Sequence, residues 1–262
     1  MALTLALTMV NDSPVAWNQR SKSPNSWKRW CYVVIPSPVL VEELHSERRV
    51  RLDADTIIDA VLVLARDEPQ SRFTFKSLGE ALGANPTAMY RHFRNRDAIL
   101  QAALDRLFTM ALEEATTAQA PKEWRPQLEC YLNAVVDVFI KYPSIGCDSF
   151  ATDTFGQGEL HAIEFVLSCL KDAGLSGERI VHYYGALESF TLGHGSGLAQ
   201  EVLAKPNSDG HEPWLQAIAV ASVTGFPLIQ EHRQRLLDLD GISVFQAGLG
   251  AILDSVERDG TR

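Results

Sequence analysis

The chain has 262 residues, of which 46% are hydrophobic, and carries a formal net charge of −9. This is enough apolar material for the core of one large or two modest domains. No segment approaches the roughly 20 consecutive apolar residues that a membrane helix needs. The apolar opening MALTLALTMV has neither a basic segment nor a cleavage site typical of a signal peptide. The four cysteines form no C-x-x-C pair, so we expect a cytoplasmic protein with reduced thiols and no metal or other cofactor.

The charge is unevenly distributed along the chain. Residues 48–100 carry nine basic and seven acidic side chains, whereas residues 101–262 carry 11 basic and 22 acidic ones. A locally basic segment joined to a strongly acidic body is typical of a small nucleic-acid-binding domain attached to a regulatory domain.

Residues 1–46 differ in composition from the rest of the chain. They contain three of the five tryptophans and show no helical periodicity, which predicts a disordered tail. An ordered N-terminal arm is the alternative, and so is a translation start further downstream.

From Leu52 onward the apolar spacing is helical. The first four helices are expected to begin at Asp53, Thr74, Asn85 and Asp97, where the first three residues act as N-caps. The second helix turns Leu78, Ala81 and Leu82 inward, Gly83 ends it, and the third helix extends to about His92. Further helices are predicted at 123–142, 159–173, 176–204, 214–223 and 243–257, with a loop at 205–213. These elements predict an all-α fold.

The stretch GANPTAMYRHFRNR at residues 83–96 concentrates polar and cationic side chains around one phenylalanine. Two short helices joined by a glycine turn form a helix-turn-helix, whose second helix enters the DNA major groove while nearby cations and N–H groups hold phosphates. Met89 and Phe93, four residues apart, would fix that helix to its neighbours. An ordinary surface helix with solvated charges is the alternative.

The run FTFKSLGEALGANPTAMYRHFRNRDAIL at residues 73–100 resembles the N-terminal domain of the TetR family of bacterial transcriptional regulators. Gly79 departs from it, because the family usually has alanine there. Three later segments more weakly resemble the regulatory domain of tetracycline repressors. These are WRPQL at residues 124–128, DAGLSGERIVHYYGALESFTLG at 172–193 and FQAGLGAILDSVE at 245–257.

This resemblance implies a three-helix DNA-binding domain at 47–97 and a helical-bundle domain at 98–262 for ligand binding and dimerisation. It also implies a homodimer that represses transcription at a palindromic double-stranded DNA operator until a small-molecule effector releases it. The residues expected to contact DNA are Lys76, Asn85, Pro86, Thr87, Tyr90, Arg91, His92 and Arg96, with His92 and Arg96 on phosphates. Packing of Tyr90 against the first helix is the alternative for that residue.

Two stripes follow the helix predicted at 176–204. Small residues recur every four positions at Gly185, Ser189, Gly193 and Gly197, which predicts either a dimer interface or close packing within one subunit. The second stripe lies on the opposite face of this helix and is apolar and aromatic, and an apolar face of the helix at 123–142 could lie across from it. Together they predict either a ligand pocket or a filled core. The pocket residues are Tyr183, Leu187, Phe190 and His194 on the first helix and Tyr131, Val135 and Phe139 on the second.

A small-molecule-handling enzyme or carrier with a degenerate helix-turn-helix is the alternative function. The segment LGHGSGLA at 192–199 does not support it, because Ser196 lacks the flanking glycines of a nucleophile elbow. His161 and Glu164 have a spacing that could bind metal, but without a third ligand an exposed pair is expected.

Overall fold

The computed structural model of the chain describes residues 52–117, 120–204 and 216–261, and all regular secondary structure in these ranges is helical. The expected all-α class is therefore confirmed. The predicted tail at 1–46 and the loop at 205–213 lie outside the described residues. The helices are α1 (Ala54–Asp67), α2 (Phe75–Leu82), α3 (Pro86–Met89), α4 (Arg96–Ala115), α5 (Trp124–Lys141), α6 (Pro143–Gly146), α7 (Gln157–Asp172), α8 (Gly177–Ala204), α9 (Gln216–Val220), α10 (Pro227–Leu237) and α11 (Gly241–Gly260), with a 3₁₀ turn at Ser149–Ala151.

Polar side chains cap the first helices as their sequence indicates. The Asp53 carboxylate accepts the Thr56 N–H at 2.9 Å, and Thr74 forms a reciprocal capping box with the side chain and backbone of Ser77. The N-cap of α4 differs from the expectation, because the Asn95 side chain accepts the Ala98 N–H at 2.8 Å. The helix consequently begins at Arg96 and not at Asp97.

A tight turn brings α2 and α3 together. Gly83 ends α2 with φ 58°, a left-handed conformation that glycine adopts without steric cost. Gly79 is buried, and a Cβ at this position would lie 2.8 Å from the Ala84 carbonyl oxygen and 3.0 Å from Cγ of Pro86. The absence of a side chain therefore permits the close approach of α3. Ala81 is exposed, contrary to the expectation that it faces inward.

Helix α4 takes part in the packing of both halves of the chain. It contacts α1 as well as α5, α6 and α7. Helix α8 in turn contacts α5, α6 and α7, and it also contacts α11. The core side chains of α4, α5 and α11 include Leu104, Leu107, Leu128, Phe139 and Leu253, none of which retains measurable exposure.

The bounds of α5, α7, α8 and α11 agree with the predicted ones to within three residues. Four elements differ. Helix α3 ends at Met89 and a turn continues to His92, α9 is shorter than its predicted range, and α6 and α10 were not predicted. Helix α10 has no buried residue, and only four of its 11 residues, Leu228, Ile229, Leu236 and Leu237, are large and apolar. Among the described residues no single helix could span a membrane by length and hydropathy, and α10 and α11 together pass that test only as a pair bent by 108°.

Candidate functional site

The surface formed by α2, α3 and the following turn presents seven of the eight predicted DNA-contacting side chains to solvent. These are Lys76, Asn85, Pro86, Thr87, Tyr90, Arg91 and His92. We call this the α2–α3 surface. Its cations stand out in a chain with a net charge of −9, and Arg94 beside them is also exposed. Lys76 has an ion pair with Glu80 at 3.9 Å, but both side chains are more than two-thirds exposed, so the pair is weak and easily replaced by another anion.

Tyr90 is held in place by α2. Its ring stacks on that of Phe75 with a centroid distance of 4.3 Å and an interplanar angle of 9°, and 56% of the residue remains exposed. The contact is with α2 and not with the first helix, which the sequence left as an alternative. Met89 is fully buried and Phe93 is 8% exposed, as their spacing predicts. The aromatic stack and these two anchors fix the orientation of the short α3 helix.

Arg96 differs from the other predicted contacts. It is half-buried, its Nε donates to the Phe73 carbonyl oxygen at 3.2 Å, and its guanidinium lies 4.6 Å from the centroid of the Phe73 ring. These contacts join the start of α4 to the segment before α2. These contacts use Nε and the guanidinium face and do not use Nη1 or Nη2 for a hydrogen bond, so the phosphate contact of Arg96 stays a prediction.

A cavity lies between α4, α5, α7 and α8. Its empty volume is about 460 Å³, part of which is open to solvent. The lining is mostly apolar, with a few polar groups, as is usual for small-molecule sites. The lining residues are Phe108, Tyr131, Leu132, Val135, Glu159, Ala162, Ile163, Val166, Tyr184, Leu187, Glu188, Thr191 and Leu192.

The structure brings only some of the predicted pocket residues to this cavity. Tyr131, Val135 and Leu187 line it, but four others do not. The Tyr183 hydroxyl donates to Asp259 of α11 at 2.9 Å. Phe190 stacks on Phe245 of α11 at 5.5 Å, and His194 lies 6.0 Å from the same ring. Phe139 is fully buried, with its ring 6.0 Å from that of Phe108.

The prediction that the aromatic stripe of α8 lines the pocket is wrong for a simple geometric reason. Tyr183, Phe190 and His194 form an aromatic stripe, as predicted, but that stripe faces α11 instead of the cavity. The cavity face of α8 is shifted around the helix and carries Tyr184, Leu187, Glu188, Thr191 and Leu192. Sequence reasoning missed Glu188 and Thr191, although Tyr184, Glu188 and Thr191 follow one another at i, i+4 and i+7 on one face of α8.

The polar groups of the cavity interact with one another. Burial raises the pKa of the Tyr131 phenol far above its ordinary value, and the neighbouring Tyr184 and Glu188 raise it further. Burial likewise raises the pKa of the Tyr184 phenol, and the neighbouring Glu188 carboxylate raises it further. Both phenols therefore stay protonated at neutral pH. The Glu159 Oε2 accepts hydrogen bonds from the Thr154 hydroxyl at 2.7 Å and from the Phe155 N–H at 3.1 Å.

Asp105 connects α4 to the cavity wall. Its carboxylate accepts the N–H groups of Gly158 at 3.1 Å and Glu159 at 2.8 Å, as well as the Thr154 hydroxyl at 3.2 Å. Gly156, the N-cap residue of α7, makes no side-chain cap of its own, so Asp105 caps α7 from another helix. The next residue, Arg106, pairs through Nη2 with Asp55 at 2.6 Å and through Nη1 with Asp59 at 3.5 Å, both on α1.

The predicted small-residue stripe of α8 faces outward. Ser189, Gly193 and Gly197 are exposed and Gly185 is half-buried. A Cβ at Gly185 or Gly197 would meet no described atom within 4 Å, and one at Gly193 would make only ordinary contact with the exposed Phe150 ring, at 3.8 Å. Among the described residues, close packing within one subunit therefore does not explain the stripe.

The possible metal-binding pair and the glycine-rich segment of α8 both lie within helices. His161 and Glu164 are both exposed on α7, and the described residues contain no cluster of three or more potential metal ligands. The segment 192–199 lies inside α8. There the Ser196 hydroxyl donates to the Cys147 carbonyl oxygen at 2.6 Å.

Two family models match the chain. "Bacterial regulatory proteins, tetR family" matches residues 57–103, and "Tetracyclin repressor-like, C-terminal domain" matches residues 117–259, more than half of the chain. An HTH-type transcriptional regulator from Saccharopolyspora erythraea is 22% identical over 151 residues, which are 58% of this chain and 63% of that protein. The class C tetracycline repressor protein from Escherichia coli is 23% identical over 208 residues, covering 79% of this chain and 92% of the repressor.

Solved structures agree on the fold. The Streptomyces coelicolor TetR family protein ActR in complex with actinorhodin superposes with a TM-score of 0.66 at 18% identity, covering 80% of this chain and 99% of ActR. Apo ActR gives a TM-score of 0.63 at 19% identity, with 80% and 97% coverage. The matched families consist of DNA-binding transcriptional regulators and not of enzymes. The chain therefore belongs to the TetR family of bacterial transcriptional regulators.

Proposed function

We propose that the chain is a homodimeric repressor that binds a palindromic DNA operator and is released by a small-molecule effector. In this proposal residues 47–97 form the DNA-binding domain and residues 98–262 the domain that binds the effector and dimerises. Since the proposed partner is bacterial DNA, the protein acts in the cytoplasm.

The α2–α3 surface supports the DNA-binding part of the proposal. Thr87 and Tyr90 are positioned to reach base edges in the major groove, where hydroxyl groups can donate or accept hydrogen bonds. Lys76, Arg91 and His92 surround them and are all exposed. Cations at the edge of a recognition helix hold phosphates and set the position of the helix on the duplex.

The outward stripe of α8 supports the dimer. Gly185 and Gly197 leave an open surface in a single subunit, and the neighbouring Val181 and Phe150 are about 60% exposed. Exposed apolar side chains beside small residues favour close packing against another helix. A symmetry-related copy of α8, with α11 alongside it, would form a four-helix interface. Two recognition helices then enter successive major grooves about 34–36 Å apart, which requires a near-palindromic site.

The observation that carries the ligand-responsive part is the pair of neighbouring contacts on α4. Asp105 caps α7, a wall of the cavity, while Arg106 pairs with α1 of the proposed DNA-binding domain. A ligand that displaces α7 would therefore act on the helix that continues into that domain. ActR has been crystallised with actinorhodin, which supports a ligand role for the corresponding bundle here, though not the same ligand.

The experiment that tests the function is selection of bound sequences from random DNA duplexes, followed by gel retardation on the enriched site. We expect a near-palindromic sequence whose retardation weakens steeply with salt. Recovery of no enriched sequence, together with no salt-dependent retardation of any duplex, would contradict DNA binding.

The dimer is tested separately with Gly193→Leu. Leucine raises helix propensity at this position by roughly 1 kcal/mol, and the open surface accepts its side chain in one subunit, so the variant should fold. In the dimer the new side chain would hold the paired helices apart. Sedimentation velocity should therefore show monomers and gel retardation a loss of specific binding, whereas Glu113→Leu, on an exposed position of α4, should remain dimeric. A tight dimer of Gly193→Leu would place the interface elsewhere.

A further inference from the structure

The charged residues of the cavity are all of one sign. Of the 13 described residues that line it, two carry a charge, and these are the carboxylates Glu159 on α7 and Glu188 on α8. The remaining polar lining consists of two phenols and the hydroxyl of Thr191. Because the phenols stay protonated, the lining offers negative charge without a cation opposite it.

A second, independent observation marks the same cavity as incomplete. The Thr191 hydroxyl has no hydrogen-bond partner, although the residue is 2% exposed and lines the cavity. A buried hydroxyl without a partner destabilises the folded state, so such a group is usually paired in a folded protein. A threonine in a helix can also donate to a carbonyl of the preceding turn, but Thr191 does not do so here. A ligand in the cavity would supply the missing partner.

We propose that this cavity binds an aromatic organic cation and that Glu188 is the residue that selects for the positive charge. The inference rests on the proposed function in that this cation would be the effector. The rings of Phe108, Tyr131 and Tyr184 provide the apolar and π-electron surface of the site, which suits a cationic aromatic group. The Thr191 hydroxyl accepts or donates the remaining hydrogen bond.

Electrostatics discriminates between the possible ligand charges. A neutral aromatic ligand would remove water from the half-buried Glu188 carboxylate without replacing it by a positive charge, which is unfavourable. An anion would add a third negative charge beside Glu159 and Glu188. A cation compensates the carboxylates and gains charge-assisted hydrogen bonds. The rings of Phe108, Tyr131 and Tyr184 in the lining suit an aromatic ligand of modest size.

The test uses three probes of similar size that differ in charge: the cation naphthylmethylammonium, the neutral naphthylmethanol and the anion naphthoate. Their affinities for the full-length protein are measured by isothermal titration calorimetry. We expect the cation to bind roughly tenfold to a hundredfold more tightly than the neutral alcohol, as charge-assisted hydrogen bonds imply, and naphthoate to bind most weakly.

Two variants on the same helix assign the charge preference. Glu188→Gln should lose most of the preference for the cation while its affinity for naphthylmethanol stays within about threefold of the wild type, because the apolar lining is unchanged. Glu178→Gln, exposed in the first turn of α8 and outside the cavity, should bind all three probes like the wild type. Unfolding temperatures of both variants without ligand confirm that they are folded.

The proposal is wrong if the wild type binds the alcohol or the acid as tightly as the cation, if Glu188→Gln keeps the preference, or if none of the probes binds at millimolar concentration. These outcomes are independent of the DNA experiment. Operator binding without cation preference would overturn only the ligand class. Cation binding by a protein that retards no DNA would instead overturn the proposed function and leave the cavity assignment intact.

Discussion

Replacing Asp105 by alanine removes the contact that joins α4 to the start of α7. Its carboxylate accepts three hydrogen bonds of 2.8–3.2 Å, two of them from N–H groups in the first turn of α7. Loss of a helix N-cap costs about 0.5–2 kcal/mol, and loss of the additional hydrogen bond from Thr154 about 1 kcal/mol. Since the cluster is only partly buried, water replaces some of these interactions. We therefore expect Asp105→Ala to lower the free energy of unfolding by about 1–2 kcal/mol.

Urea denaturation followed by circular dichroism measures this loss. With a slope of about 2–3 kcal/mol per molar urea, the midpoint should fall by about 0.5 M. Protein concentration must be held constant, because the stability of a dimer depends on it. Hydrogen exchange locates the effect: the peptide containing Gly158 and Glu159 should exchange faster, whereas the peptide containing α11 should change only through global stability.

Glu113→Ala is the matched control, since it removes an exposed carboxylate from the same helix. Its midpoint should remain within the error of the wild type. If Asp105→Ala has an unchanged midpoint and unchanged exchange at the start of α7, the contact contributes no stability, and the argument that α4 is tied to the cavity wall fails.

Four further substitutions test the two sites. Thr87→Ala should weaken operator binding by about 1–3 kcal/mol. Tyr90→Phe keeps the aromatic stack but loses the hydroxyl, so it should weaken binding by about 1 kcal/mol. If both variants bind the operator with wild-type affinity in fluorescence anisotropy, α3 does not face the bases. Arg96→Ala should lower the free energy of unfolding by about 1–2 kcal/mol, because its contacts with Phe73 are lost. Weaker DNA binding at unchanged stability would instead mean that the main role of Arg96 is phosphate contact. Thr191→Val should raise the stability of the ligand-free protein by about 1 kcal/mol and weaken naphthylmethylammonium binding; a lower melting temperature would show that the hydroxyl has a partner.

Local signals account for the part of the structure that the sequence predicts well. Asp53, Thr74 and Asn85 cap helices through side chains that bond only two or three residues ahead, so no tertiary information is needed to recognise them. Met89 and Phe93 likewise report the buried side of the recognition segment by their spacing. This is why the first three helices and the exposed α2–α3 surface follow from the sequence.

The cavity is harder to predict, because a helix period shows that an apolar stripe exists without showing which neighbour it meets. Helix α8 packs against helices on two sides, and its aromatic stripe through Phe190 belongs to the α11 side. Glu188 and Thr191 face the other side among apolar residues. Asp105 has no local signal at all, since the N–H groups that it caps lie more than 50 residues further along the chain.

The position of Asp105 along α4 determines what a movement of the cavity wall can do. The helix runs for 20 residues from Arg96 to Ala115, and Asp105 lies at its middle. A rigid half of such a helix is about 15 Å long, so a tilt of 10° about the middle would displace the end that carries α1–α3 by about 2–3 Å. The Arg106 pairs with Asp55 and Asp59 join this helix to α1. Each pair contributes roughly 0–1 kcal/mol, because both carboxylates are largely exposed, so the packing of α1 against α4 must carry most of the coupling. In the proposed dimer on two fixed grooves, a displacement of this size in each subunit would misplace the recognition helices and weaken operator binding.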